Sequence, residues 1–207
     1  MDAALLSTLL ASLAALHASP PPPWHSTARG ALRRLAPGLR PRQLGLVMCS
    51  LAKLRAPLPP FWLDLLAGRA GELLGAARPA RAPLRAAGRV TLPVPPAPAL
   101  PAQHPFSDAD LAAVVWSMPH LAHPNQRAWA GGHAPLLRTI AAATLPRLGR
   151  MALPQLVQLV VGFSRLGFHP GLQWVKSHQN ACAAQYERID QVNRARLREA
   201  YRGILDK

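Results

Sequence analysis

Apolar residues recur along this chain in steps of three and four, and they do so four times in register with a tryptophan. Eighteen residues before Trp24, Trp62, Trp129 and Trp174 stand Leu6, Leu44, Leu111 and Leu156. Fifteen before are Leu9, Val47, Val114 and Leu159, and fourteen before are Leu10, Met48, Val115 and Val160. Eleven before are Leu13, Leu51, Met118 and Phe163, and eight before are Leu16, Leu54, Leu121 and Leu166. These offsets fall on one face of an α-helix, whereas a strand would alternate. Twelve before each tryptophan the residue is Ser12, Ser50, Ser117 or Gly162, small enough for a neighbouring helix to come close.

The tryptophans set the unit length. Trp24 and Trp62 are 38 residues apart, Trp62 and Trp129 are 67 apart (38 lengthened by 29), and Trp129 and Trp174 are 45 apart. Each unit reads as a helical hairpin. Its first helix ends near the leucine eight before Trp, a turn follows, and a second helix starts near Trp and carries residues such as Leu32 and Leu35, or Leu65, Leu66, Leu73 and Leu74. Prolines in the first two turns suit the residues just before and at a helix start, where a missing N–H removes no bond. Ser107 with Asp110 resembles a capping box, and Pro41 and Pro154 sit where a first turn would begin. Pro119 is expected to shorten the first helix of the third unit.

A single hairpin cannot bury such a stripe, but stacked hairpins can. The expected fold is therefore all-α: an α-solenoid of about four stacked helical hairpins with a 38-residue repeat, of the armadillo, HEAT and PPR kind. Residues 1–74 form repeats one and two, and 106–186 form repeats three and four. Between them, 75–105 is a Pro/Arg-rich insert with eight prolines and Arg78, Arg81, Arg85 and Arg89, expected to be a disordered or extended loop. Residues 187–207 are expected to cap the stack through a helix bearing Ile189, Val192, Leu197, Tyr201 and Leu205.

The repeat changes how the N-terminus is read. Residues 5–16 could pass for the apolar part of a secretory signal, but the same helix recurs three more times and the second residue is Asp2, not a cation. No apolar run reaches the roughly 20 residues that span a bilayer. Helix A has almost no Lys or Arg opposite its apolar face, unlike an interfacial helix, so no membrane partner is expected.

Charge adds a possible ligand. There are 24 Lys and Arg against 9 Asp and Glu, a net +15 in 207 residues. No acid lies between Ala3 and Leu63, or between Leu111 and Tyr186, where Arg127, Arg138, Arg147, Arg150, Arg165 and Lys176 occur. Such a surface attracts polyanions, nucleic acid first. A chain rich in Ala, Arg, Pro and Gly can also carry arginine through compositional bias alone. Cys49 and Cys182 form neither a metal-ligand spacing nor a disulfide framework.

The PPPPW and PLPPFW turns, the leucine-rich helices and the 38-residue period resemble the octotricopeptide repeat family. FSDADLAAVVWSM is similar to that family's first-helix opening, and LAKLRAPLPPFW to its helix end and turn. The third and fourth units depart from it, with NQRAW and GLQW in place of the proline run. The resemblance implies a helical-hairpin solenoid that binds organellar, single-stranded RNA in a chloroplast or mitochondrion. Its role would be post-transcriptional: stability, processing, splicing or translation of transcripts. It also allows a ribonucleoprotein or ribosome as partner. No transit peptide is visible in the first 20 residues, which contain no Arg.

The candidate binding residues follow from the repeat. Nine before each tryptophan stand Ala15, Lys53, His120 and Arg165, and nine after stand Arg33 and Arg138. Stacking would align the first set in a ladder suited to a phosphodiester backbone. Arg29 and Lys176 complete the candidate set. The alternative reading is a solvated polar face. The tryptophans, Trp116 included, are read as core anchors rather than base-stacking platforms. His120, His123 and His133 make a poor metal site, lacking Cys or a nearby carboxylate. No catalytic residue is assigned: there is no Ser, His and Asp set, no paired carboxylates and no phosphate loop. The expectation is a binding protein, not an enzyme, with no cofactor, no metal and no small-molecule substrate. The competing function is a protein-interaction scaffold such as a ribosome-associated subunit.

Overall fold

The computed structural model describes residues 2–18, 20–55, 59–76, 106–122 and 129–205. Among these residues the chain is all-helical, with nine α-helices and no strand. They are α1 (Ala3–Ala15), α2 (Pro22–Leu35), α3 (Pro41–Lys53), α4 (Pro60–Ala76), α5 (Asp108–Leu121), α6 (Trp129–Thr144), α7 (Leu153–Arg165), α8 (Leu172–Ala183) and α9 (Gln191–Leu205). Short 3₁₀ turns follow α2 (Ala36–Gly38), α6 (Leu145–Arg150) and α8 (Tyr186–Arg188).

The helices α1, α3, α5 and α7 all begin 21 residues before their tryptophan, at Ala3, Pro41, Asp108 and Leu153. Nineteen before Trp, a polar side chain reaches back to the backbone N–H that precedes three of these helices. Gln43 accepts from Arg40 N at 2.9 Å, Asp110 from Ser107 N at 3.1 Å, and Gln155 from Ala152 N at 3.0 Å. At α5 the box is reciprocal, since Ser107 Oγ accepts from Asp110 N at 3.2 Å. Ser107→Ala should therefore cost about 1 kcal/mol, read as a lower urea midpoint at unchanged slope.

The exits are also alike. Seven before Trp, His17 and Arg55 have φ of 49° and Gly167 has φ of 65°. This left-handed residue lets the last carbonyls of the helix be capped. After α1, Ala18 N donates to Leu13 O at 3.0 Å, and after α7, Phe168 N donates to Phe163 O at 3.0 Å. The α5 end differs, leaving through an extended Ala122.

Packing follows the apolar columns. α1 packs on α3, α3 on α5, α5 on α7 and α7 on α9, while α4 meets α6, and both α6 and α8 meet the turn Leu145–Arg150. Leu44, Val47, Met48, Leu111, Val114, Val115, Leu156, Leu159, Val160 and Phe163 are all buried. The first unit is the exception. Leu5, Leu9 and Leu16 of α1 and its exit are exposed, because among the odd-numbered helices α1 has a neighbour only on the α3 side.

The column of small residues does what its size allows. A Cβ added to Gly162 in α7 would fall 2.7 Å from Val115 O of α5. Val115 is the residue four before Pro119, so its carbonyl has no N–H to accept from at that position. The missing bond and the bare Gly162 thus face each other, and the two backbones meet there. This bears on the expectation that Pro119 shortens its helix: α5 runs through it to Leu121.

Three further expectations meet the coordinates. The insert expected at 75–105 lies outside the described residues from 77 onward; α4 continues to Ala76. The C-terminal helix α9 buries Leu197, Ala200 and Ile204, not Val192 and Leu205, which are 61% and 50% exposed. Spacings of three and four from Leu197 select that stripe, with Tyr201 at its edge. Trp62 and Trp174 are core, as expected, but Trp24 is only half-buried, and the side chain of Trp129 lies outside the described residues.

Trp174 shows how the anchor works. Its indole Nε1 donates to buried Thr144 Oγ1 at 3.0 Å, its ring meets Phe163 edge-on, and it stacks on His178 with centroids 4.8 Å apart. His178 is fully buried. Its Nε2 lies 2.9 Å from Leu156 O and its Nδ1 2.6 Å from Tyr201 Oη. The carbonyl can only accept, so Nε2 carries the hydrogen, and Nδ1 accepts from the tyrosine hydroxyl. One neutral imidazole thereby ties α7, α8 and α9 together. Burial pushes its pKa down to about 4, against the opposing pull of the Leu156 carbonyl. Burial also pushes the Tyr201 hydroxyl and the Cys182 thiol up, which leaves both protonated.

Candidate nucleic-acid interface

The positions nine before Trp close the helices of the first set. Ala15, Lys53 and Arg165 are the last residues of α1, α3 and α7, and His120 is the last but one of α5. All four are exposed. A cation at a helix C-terminus also complements the helix dipole, so this placement has a structural benefit of its own.

His120 and Arg165, 45 residues apart in sequence, are brought into contact. Arg165 Nη1 lies 2.8 Å from His120 Nε2, and His120 Nδ1 lies 2.9 Å from Trp116 O. A guanidinium can only donate, so Nε2 accepts and Nδ1–H donates to the carbonyl. The ring is neutral in this arrangement. Partial burial pushes its pKa down, the Trp116 carbonyl pulls it up, and the Arg165 charge pushes it down further. His120 therefore enters the ladder as an acceptor that holds Arg165, not as a third cation.

One turn earlier on the same helix faces stand Cys49, Trp116 and Val161, all half-buried. Trp116 is packed against the core on one side, but it also lines a groove of about 410 Å³ across α5, α7 and α9. His120, Gln158, Arg165, Asn193 and Arg196 share that lining. The Trp116 and His120 rings are 4.4 Å apart at centroids and inclined by 31°. Sequence reading assigned Trp116 to the core and passed over Gln158 and Arg196. The signal was the four-residue step from the Trp116 column to the His120 column, which places both on one face.

The remaining candidates lie on the other set of helices. Arg29 and Arg33 are in α2, Arg138 in α6 and Lys176 in α8. Arg33, Arg138 and Lys176 are exposed, and Arg29 is half-buried. The seven residues thus form two groups, and only Lys53, His120 and Arg165 share the layer that contains the groove.

Several other arginines are used within the fold. Arg147 donates to Phe106 O at 3.1 Å and pairs with Asp108 at 3.2 Å, and Arg150 lies 3.6 Å from the same carboxylate. Asp108 stands just outside the acid-free stretch that contains them, so folding neutralises part of that stretch. Arg69 donates to Leu39 O, and Arg194 lies over the Tyr186 ring.

Of the histidines weighed for a metal, His123 lies outside the described residues, and His133 Nε2 sits 2.8 Å from Asp64 Oδ1. Cys49 is half-buried, and desolvation pushes its thiol up despite nearby Lys53, which favours the unreactive protonated form. Among the described residues no helix is long and apolar enough to cross a membrane. A scan against protein-family models finds no match, and no curated protein matches the chain.

Proposed function

We propose that the chain is an α-solenoid of four stacked hairpins that binds single-stranded RNA, a relative of the octotricopeptide repeat proteins acting in organellar gene expression without catalysis of its own. The observation that carries the reading is the meeting of His120, Arg165 and Trp116 on one face, with Lys53 at the equivalent end of α3. Cations at repeat spacing suit a phosphodiester chain, and a nearby aromatic with polar neighbours suits its bases. The order in which α1, α3, α5, α7 and α9 pack supports the solenoid half of the reading.

The test is RNA affinity against salt for the wild type and for the pair Lys53→Glu with Arg165→Glu, using fluorescein-labelled oligoadenylate. For single strands each phosphate neutralised contributes about 0.7 to the log–log slope. Losing two contacts should flatten the slope by about 1.4 and lower affinity at least about tenfold. Binding that ignores salt, or no binding to any single-stranded RNA, rejects the proposal.

Exposed Leu5, Leu9 and Leu16 favour a second reading, a protein-interaction scaffold such as a ribosome-associated subunit. Co-sedimentation with ribosomes that survives nuclease treatment and is lost on Leu9→Glu with Leu16→Glu would select it over the first.

A further inference from the structure

We infer that the groove across α5, α7 and α9 is a subsite for one nucleotide, its base resting on the Trp116–His120 pair and its phosphate held by Arg165 and Arg196. This rests on the RNA reading and goes beyond a general charged face, because it names where a base is taken up. The volume of about 410 Å³ falls in the range of small-ligand clefts, roughly 300–1,000 Å³. The lining joins the three kinds of group that a nucleotide requires: an aromatic surface, guanidinium groups and side-chain amides.

Each group is set up for that use. His120 holds Arg165 through its neutral Nε2, so the guanidinium is positioned without being neutralised by an acid. Arg196 makes no ion pair with a carboxylate within 4.0 Å among the described residues. Glu199 lines the adjoining recess with both arginines, and Asp190 lies close enough to feel the Arg196 charge without an ion pair to it. Asn193 Nδ2 is committed to Asp190 at 2.7 Å, which leaves its Oδ1 free to accept. The Gln158 amide has no hydrogen-bond partner among the described residues and lines the groove with Val157 and Val161. It offers both a donor and an acceptor to a base edge.

The test compares two probes of equal length and charge: oligoadenylate, and the same oligomer with every base removed. Stacking of one base on an aromatic ring is worth roughly tenfold in affinity. Trp116→Leu should weaken oligoadenylate binding about tenfold, leave the abasic oligomer unchanged and keep the salt slope. Trp116→Phe should restore most of the loss. Arg196→Glu, at an exposed position of α9, should weaken both probes and flatten the slope by at least about 0.7. The subsite is overturned if Trp116→Leu binds both probes like the wild type, or loses both in proportion, while circular dichroism shows it folded. It is also overturned if Arg196→Glu leaves both probes unaffected. A wild type that binds neither probe instead removes the RNA reading, and the subsite with it.

Discussion

Gly162→Val should lower the stability of the chain by about 3 kcal/mol, at the upper end of what overpacking does. Substituting glycine inside a helix by a residue with a side chain normally helps, since glycine is about 1 kcal/mol worse than alanine there. Gly162 should reverse that rule even for alanine. A Cβ at this position would lie 2.7 Å from Val115 Cγ1, 2.7 Å from Val115 O and 2.9 Å from Val115 C. Two of those atoms are backbone, so α5 and α7 must move apart to admit it. The comparison that isolates the cause is Gly68→Ala in α4, where a Cβ would meet nothing within 4 Å. That variant should gain up to about 1 kcal/mol. Urea midpoints of the wild type and of the variants Gly162→Val, Gly162→Ala and Gly68→Ala decide the matter. If Gly162→Ala is as stable as the wild type, the close approach is not what holds α5 on α7.

The second large effect should come from acid. His178 is fully buried, with a folded pKa of about 4 against an ordinary value of 6.5. The unfolded chain therefore takes up this proton more readily than the folded one. The sign follows: the full stability is present above pH 6.5, and it falls as the pH drops toward 4. Over that interval the loss amounts to roughly 3 kcal/mol, at about 1.36 kcal/mol per pH unit. Protonation places a hydrogen on Nδ1, where the Tyr201 hydroxyl now donates, so that hydroxyl must turn to accept instead while a charge is left in the buried site. Denaturation at pH 7 and pH 4.5 should show the decline. The pair His178→Phe with Tyr201→Phe should remove most of its dependence on pH in this window. Tyr201→Phe alone leaves Nδ1 only the weak Cys182 thiol, 3.7 Å away, and should cost about 1 kcal/mol at pH 7. A wild type equally stable at both pH values would mean that the imidazole is not sealed from water.

Much of this fold could be read from residues alone because burial drives it. The five apolar columns placed four helices, and all four begin at the same distance from their tryptophan. The entry caps were half legible: Ser107 with Asp110 stood out, whereas Gln43 and Gln155 do the same work as Asp110 behind Arg40 and Ala152, which are not capping types. The exits were hidden because only one of three left-handed residues is the expected glycine, the others being His17 and Arg55. Val192 and Leu205 are as apolar as Leu197, so composition could not choose the buried stripe of α9. For the candidate site, the column that brings His120 and Arg165 together was legible but the chemistry of the pair was not. Whether His120 is a cation depends first on its partial burial and then on Arg165, 45 residues further on, whose contact exists only once α5 lies against α7. Trp116 was legible as a core contact but not as a groove wall: its column holds Ala, Cys, Trp and Val, a mixture that marks the boundary of the core.

The bare contact at Gly162 also has a consequence of scale. Packed helices lie about 8–10 Å apart, and a glycine against a backbone favours the shorter distance. Nucleotides stacked in a strand advance only about 3.4 Å each. On the proposed RNA reading, a strand taking one contact from each of α3, α5 and α7 would pass about two to three stacked nucleotides per contact. Its phosphates would then be gripped at every second or third position, with stacked nucleotides bridging the gaps between helices.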